Sequence, residues 1–343
     1  MTTTTWDGSS STAWSTGANW DTNNKPTAAD DTIINGSAPD DVVLSEPAAC
    51  LSLNCTGFTH QLDAAHQPIE VSGSVTLGSG MTTNDLILAL KESGTITPNG
   101  VHFDVLGFVG AAVKTVTLGG DTNVSMVDLN EPNTSLTFGA NDLVLDTPDV
   151  DDRIGGFYVN SSATITYSAG AHIIYDIPDG LTGGQPGLYS PGSSTLPPIK
   201  ISSDGDGVVT LESNIKTESL TLNSGTLNFD ASDFETTGDC DITGGTVLAS
   251  GRTLTVGGDL TVDGVAMSGF ELDVTGTATI SNAVVTNMTA NGPVDCTIGC
   301  IDGGGNDANF EFPPAQTPVR WWQGSNPGQS GKDKSNKDKH KHK

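Results

Sequence analysis

What this sequence lacks narrows its function before anything it contains. Residues 1 to 330 hold 8 Lys and Arg against 39 Asp and Glu, a net of −31 (8 − 39). A body so acidic repels phosphate backbones and anionic bilayers, so neither nucleic acid nor a membrane surface is an expected partner. Aromatic residues are scarce at 6%, and no tryptophan lies between Trp20 and Trp321, which argues against a sugar-stacking groove along the chain. No stretch approaches the ~20 apolar residues of a membrane-spanning helix; the nearest is Leu86-Ile-Leu-Ala-Leu90. The opening Met1-Thr-Thr-Thr-Thr-Trp6-Asp-Gly8 has neither the basic start nor the apolar run of a secretory leader, so synthesis in a reducing cytoplasm is expected. The five cysteines, an odd number, are a poor basis for a disulfide framework. Strong helix formers are also few.

The chain is rich instead in glycine, with 42 residues, and in Thr, Ser, Asn and Asp. That usage belongs to short strands joined by many turns. An internal repeat organises them. The apolar-x-apolar pairs Ile199/Ile201, Leu220/Leu222, Cys240/Ile242, Leu260/Val262, Ala278/Ile280 and Cys296/Ile298 are spaced 21, 20, 20, 18 and 18 residues apart. Their surroundings repeat too: Gly238-Asp-Cys-Asp-Ile242 matches Gly258-Asp-Leu-Thr-Val262. An earlier ladder, Leu53/Cys55, Val75/Leu77, Ile96, Val116/Leu118 and Leu136/Phe138, advances by 22, 21, 20 and 20. Ile69-x-Val71-x-Gly73-x-Val75-x-Leu77 has the template of Leu254-x-Val256-x-Gly-x-Leu260-x-Val262.

Each pair puts two side chains on one face of a strand, and a following Gly or Asn permits a sharp turn. A coil of three short strands takes about 20 residues, and stacked coils share a thin core no coil could bury alone. The expected fold is therefore all-β: a parallel β-helix, or β-solenoid, of about 18–22 residues per coil over 41–312. A Trp-rich N-terminal cap is expected over 1–40, where Trp6, Trp14 and Trp20 would cover an open end. The five prolines of 178–198 predict a loop insertion there. Residues 313–343 form an attachment segment ending in a flexible basic tail, since 331–343 carry 6 Lys against 2 Asp.

Candidate chemistry is thin. The Asp146-Thr-Pro-Asp149-Val-Asp151-Asp152-Arg153 run and Asp204-Gly-Asp206-Gly could hold calcium, but neither has the ligand spacing of a known calcium loop. Cys50, Cys55, His60 and His66 are zinc-type ligands without the short Cys-x2-Cys spacing, and Cys296/Cys300 adds another pair. Cys55, Cys240 and Cys296 fall on ladder positions, so buried thiols acting as small apolar residues are the expectation. No phosphate loop, nucleophile elbow or dinucleotide fingerprint occurs. The expectation is no catalytic residue, no cofactor and no metal site.

The Trp-rich opening, the near-identical coils, and the Asp302-Gly-Gly-Gly-Asn306 closure followed by Asn309-Phe-Glu-Phe312 resemble β-helix structural proteins of bacteriophages. They are also similar to surface β-helix proteins of environmental bacteria. The resemblance implies a virion component made in the host cytoplasm and displayed on the virion surface: a capsid decoration, head fibre or tail fibre, commonly a homotrimer. Its implied partners are other capsid or tail proteins. Particle attachment is expected through Arg320, Trp321, Trp322, Lys332, Lys334, Lys337 and Lys339. The alternatives are a tailspike that binds or degrades a host-surface polysaccharide, and a bacterial cell-surface adhesin.

Overall fold

The structure, a computed structural model, describes residues 1–146, 155–177, 186–191, 195–203, 207–249 and 251–312. Parallel strands stack through about 13 turns of a β-solenoid with three faces. Each turn visits the first face, then the second, then the third. The first face starts with Thr3–Thr5, Asp31–Ile33 and Ser52–Asn54 and closes with Glu271–Val274 and Thr289–Ala290. The second runs from Val42–Val43 and Gln61–Asp63 to Val294–Ile298 and Phe310–Glu311. The third runs from Ala48–Cys50 and Pro68–Val71 to Val284–Thr286 and Ile301–Gly304. Among the described residues the one helical element is the short 3-10 turn Gly17–Asn19.

The interior is a set of columns, as the repeat requires. Ile199, Leu220, Cys240, Leu260 and Ala278 are successive ladder partners, as are Ile201, Leu222, Ile242 and Val262. All are buried. Burying each Leu or Ile contributes about 1.5–3 kcal/mol, and every such side chain touches equivalents above and below, so stability is a property of the stack.

Corners are built by small residues and carboxylates. Gly245 has φ +77°, in the left-handed region that favours glycine, and stacks on Gly225 at φ +82°. A Cβ on the adjacent Gly244 would lie 1.9 Å from the Asn223 carbonyl oxygen, so only glycine fits beneath that coil. Asp239 Oδ1 accepts from the Asp259 N–H at 2.9 Å, and Asp259 Oδ1 in turn accepts from the Thr277 N–H at 2.8 Å. The Gly-Asp repeat is thus an aspartate ladder that satisfies backbone donors left free where the strands break. Asp41 and Asp233 make the same bond to Gln61 and Thr253. Part of the chain's acidity is therefore architectural.

Several sequence expectations need adjustment. The two apolar ladders lie on different faces: Leu53, Val75 and Ile96 are on the first face, whereas Ile199 to Ala278 are on the second. Ile96 pairs with Leu118, not Val116, and Ala278 pairs with Val294, not Cys296, followed by a register shift between Thr279 and Ser281. A two-residue slip keeps the same side chains inward, so alternation alone cannot detect it. The ladder also begins inside the segment read as a cap, at Thr3–Thr5. There Trp6, Trp14 and Trp20 are each 1% exposed. Trp20 meets Trp6 and Trp14 edge-on, at centroid distances of 5.0 and 4.9 Å, and its Nε1 donates to the Trp14 carbonyl at 2.9 Å.

Within 178–198, Gly187–Tyr189 is a ladder strand paired with Gly156–Val159, and Leu196 bridges to Thr217. Three residues free of proline suffice for a rung, even with Pro186 and Pro191 beside them.

Candidate functional site

The cysteines are core residues. Cys50, Cys55, Cys240, Cys296 and Cys300 are all free and buried. Burial pushes the Cys50 thiol up to about 12 and raises Cys55, Cys240 and Cys296 as well. The zinc-type set does not converge: His66 Nδ1 lies at the surface 3.1 Å from Asp85 Oδ1, and His60 packs on Phe58. Among the described residues no group of three or more His, Cys, Asp or Glu side chains is placed to hold a metal. Of the acidic run weighed as a calcium site, Asp146 is the one described residue; Asp204-Gly-Asp206 lies outside the described residues. So do Arg320, Trp321, Trp322, Lys332, Lys334, Lys337 and Lys339.

Asp146 joins a polar group that the sequence did not reveal. His102 Nε2 is 3.2 Å from Ser125 Oγ and 3.1 Å from Asp146 Oδ1. A serine nucleophile needs the hydroxyl on one ring nitrogen and the acid on the other. Here both meet the same nitrogen, so the group is an ion contact that ties coils together. Burial opposes protonation of His102, but the hydrogen bond and charge of Asp146, with the charge of Asp104, outweigh it and raise the histidine's pKa.

Two shallow concavities open on the flanks. One, of about 560 Å³, is lined on the first face by Ile215, Phe234, Thr253 and the Lys216–Glu235 ion pair. The other, of about 460 Å³, lies at the corner of Asn99, Gly120, Asp121 and Asp142, where His172 Nδ1 holds Asp142 Oδ1 at 2.7 Å.

The third face carries the more distinctive surface. Its outward column reads Glu70, Ala89, Gly107, Asp128, Tyr158 and Tyr189 in successive ladder partners. Tyr158 and Tyr189 are half-buried, while Phe157 and Leu188 beside them point into the core. The Tyr158 hydroxyl donates to Glu212 Oε1 at 3.2 Å. Burial, then the charges of Glu212 and Asp128, push the Tyr158 phenol up to about 12. Gly187 makes this contact possible, because a Cβ there would lie 2.3 Å from Glu212 Oε1 and 2.5 Å from the Tyr158 hydroxyl. Beneath it the buried Tyr175 hydroxyl donates to the Gly187 carbonyl at 3.1 Å.

Tryptophan scarcity did not reveal this tyrosine surface. The available signal was the clustering of all four tyrosines, Tyr158, Tyr167, Tyr175 and Tyr189, in one short segment. The same coils carry long connections between the second and third faces, 10 residues from Leu145 to Gly156 and 9 from Ile177 to Gly187, against 3 from Leu222 to Thr226. Those lengths conceal the register that aligns the tyrosines. No family model, curated protein or solved structure matches this chain.

Proposed function

We propose that this chain is a non-catalytic structural protein of a bacteriophage virion surface, a capsid decoration, head fibre or tail fibre that presents a stiff rod. The observation that carries the reading is the run of three parallel columns from Thr3 to Glu311, buried along the axis and sealed at its N-terminal end by three tryptophans. Such a stack commits most of its length to rigidity and spacing, and leaves outward side chains and the two ends to make contacts. The resemblance to phage β-helix proteins supplies the particle. The acidic body favours a role in solvent at its surface, assembled as a trimer. In this reading the segment containing Arg320, Trp321, Trp322 and the lysines of the tail docks on a capsid or tail protein.

The test is immunogold labelling of particles released by lysis of cells that express the chain, together with particles carrying a deletion of 313–343. Label on intact particles that is lost on deletion supports the proposal. Label confined to the bacterial envelope would favour the adhesin, and reducing-sugar release by purified protein would favour a polysaccharide-degrading tailspike.

A further inference from the structure

We infer that the outer surface of the third face around Asp128, Tyr158, Tyr189 and Glu212 is a binding site for a neutral polysaccharide. The inference takes the rod and its register as given and does not depend on which particle carries it.

Tyr158 and Tyr189 are ladder partners, so two phenol rings rise from positions one coil apart, ~4.8 Å, on a flat parallel surface. Both are half-buried, which restricts their motion while leaving ring surface open. The face of an aromatic ring carries the negative part of its quadrupole and attracts polarised C–H groups. A pyranose presents such C–H groups on its flat sides and hydroxyls around its rim. Hydroxyls that leave water need acceptors, and carboxylates accept at two oxygens each.

Acceptors stand at both ends of the pair: Asp128 is the ladder partner that precedes Tyr158, and Glu212 holds the Tyr158 hydroxyl at 3.2 Å. Gly187 contributes by having no side chain, since any Cβ there would collide with both Glu212 and Tyr158. The site therefore combines two fixed rings, two carboxylates and a bare backbone between them.

Charge selects among glycans. Uronate, sulfate or sialyl groups would meet Asp128, Glu212 and a body of net charge −31 (8 − 39 over residues 1 to 330). A neutral chain meets no such opposition and gains the same hydroxyl contacts. That contrast makes the ligand class, and not merely the location, part of the inference.

The experiment is affinity electrophoresis of the full-length protein through gels containing dextran, galactomannan, xyloglucan or mixed-linkage glucan, with polygalacturonate as the anionic arm. At least one neutral polymer should retard the protein, and polygalacturonate should not. The Tyr158→Ala/Tyr189→Ala pair should weaken retention about tenfold or more, Glu212→Gln should weaken it less, and circular dichroism should confirm that each variant is folded. Should the paired variant unfold, the unaltered protein still decides the matter: the retarding polymer must produce a tyrosine ultraviolet difference spectrum. Absence of retention on every neutral polymer, retention only on polygalacturonate, undiminished retention of the folded double variant, or no tyrosine perturbation would each overturn the inference. None of these outcomes bears on the labelling test above, so the two readings fail separately.

Discussion

Leu222→Ala is the substitution that probes the columnar core most sharply. Leu222 is fully buried, with Ile201 one coil before it and Ile242 one coil after it, both also fully buried. Truncation removes three carbons from a site whose walls are strands pinned by ladder hydrogen bonds on both sides. Such walls collapse poorly, so the cavity term adds to the lost transfer energy and the expected cost is about 3–5 kcal/mol. The control is Thr221→Ala on the same strand, half-exposed on the opposite side, for which the expected change is within about 0.5 kcal/mol. Urea unfolding followed by circular dichroism gives both numbers from midpoint shifts at a common slope. If Leu222→Ala and Thr221→Ala differ by less than about 1 kcal/mol, Leu222 is not in a tight column and the core reasoning fails.

Three further outcomes follow from individual groups. The five thiols should be inert to a thiol reagent such as DTNB at neutral pH in the native protein, and all five should react in denaturant, because each is buried; fast labelling of any in the native state would contradict the core assignment. Lys114 is fully buried, its ammonium donating to the carbonyls of Val109 and, at 2.9 Å, Gly110, so Lys114→Met should cost about 2–4 kcal/mol by orphaning them; a neutral result in thermal unfolding would show that the lysine is dispensable. The pKa of His102 is raised in the folded chain. Its stabilisation is therefore complete below the unfolded value of ~6.5 and is lost as pH rises through the folded value. Melting temperature should fall from about pH 6 to about pH 8, and His102→Gln should flatten part of that slope.

The fold was legible because burial imposes a simple code: alternate residues inward, a small residue at each corner, and one turn in about 20 residues. Phase was less legible. Ile96 pairs with Leu118, and Val294 takes the place expected of Cys296, because a two-residue slip leaves alternation unchanged. The Gly238-Asp239 and Gly258-Asp259 repeats were visible as sequence, yet their role as acceptors for the next coil's N–H groups required coordinates. The tyrosine surface was harder still. Tyr158 and Tyr189 are 31 residues apart, well off the 20-residue period, yet they are direct ladder partners. His102 and Asp146, separated by 44 positions, meet for the same reason: coils stack regardless of how far apart their residues are in sequence.

The central claim is that outward positions in one register column are separated by a constant step along a single axis. Thr279 is linked through Thr261, Asp241 and Thr221 to Lys200, then through Ile174 to Val144 and Asn123. That places Lys200, Val144 and Asn123 four, six and seven coils away. With spin labels on cysteines introduced at Thr279 and at each of these in turn, double electron–electron resonance should give backbone separations of about 19, 29 and 34 Å, at ~4.8 Å per coil. A linear rise with coil number is the predicted result; an Asn123 pair no farther apart than the Lys200 pair would contradict the stacked rod.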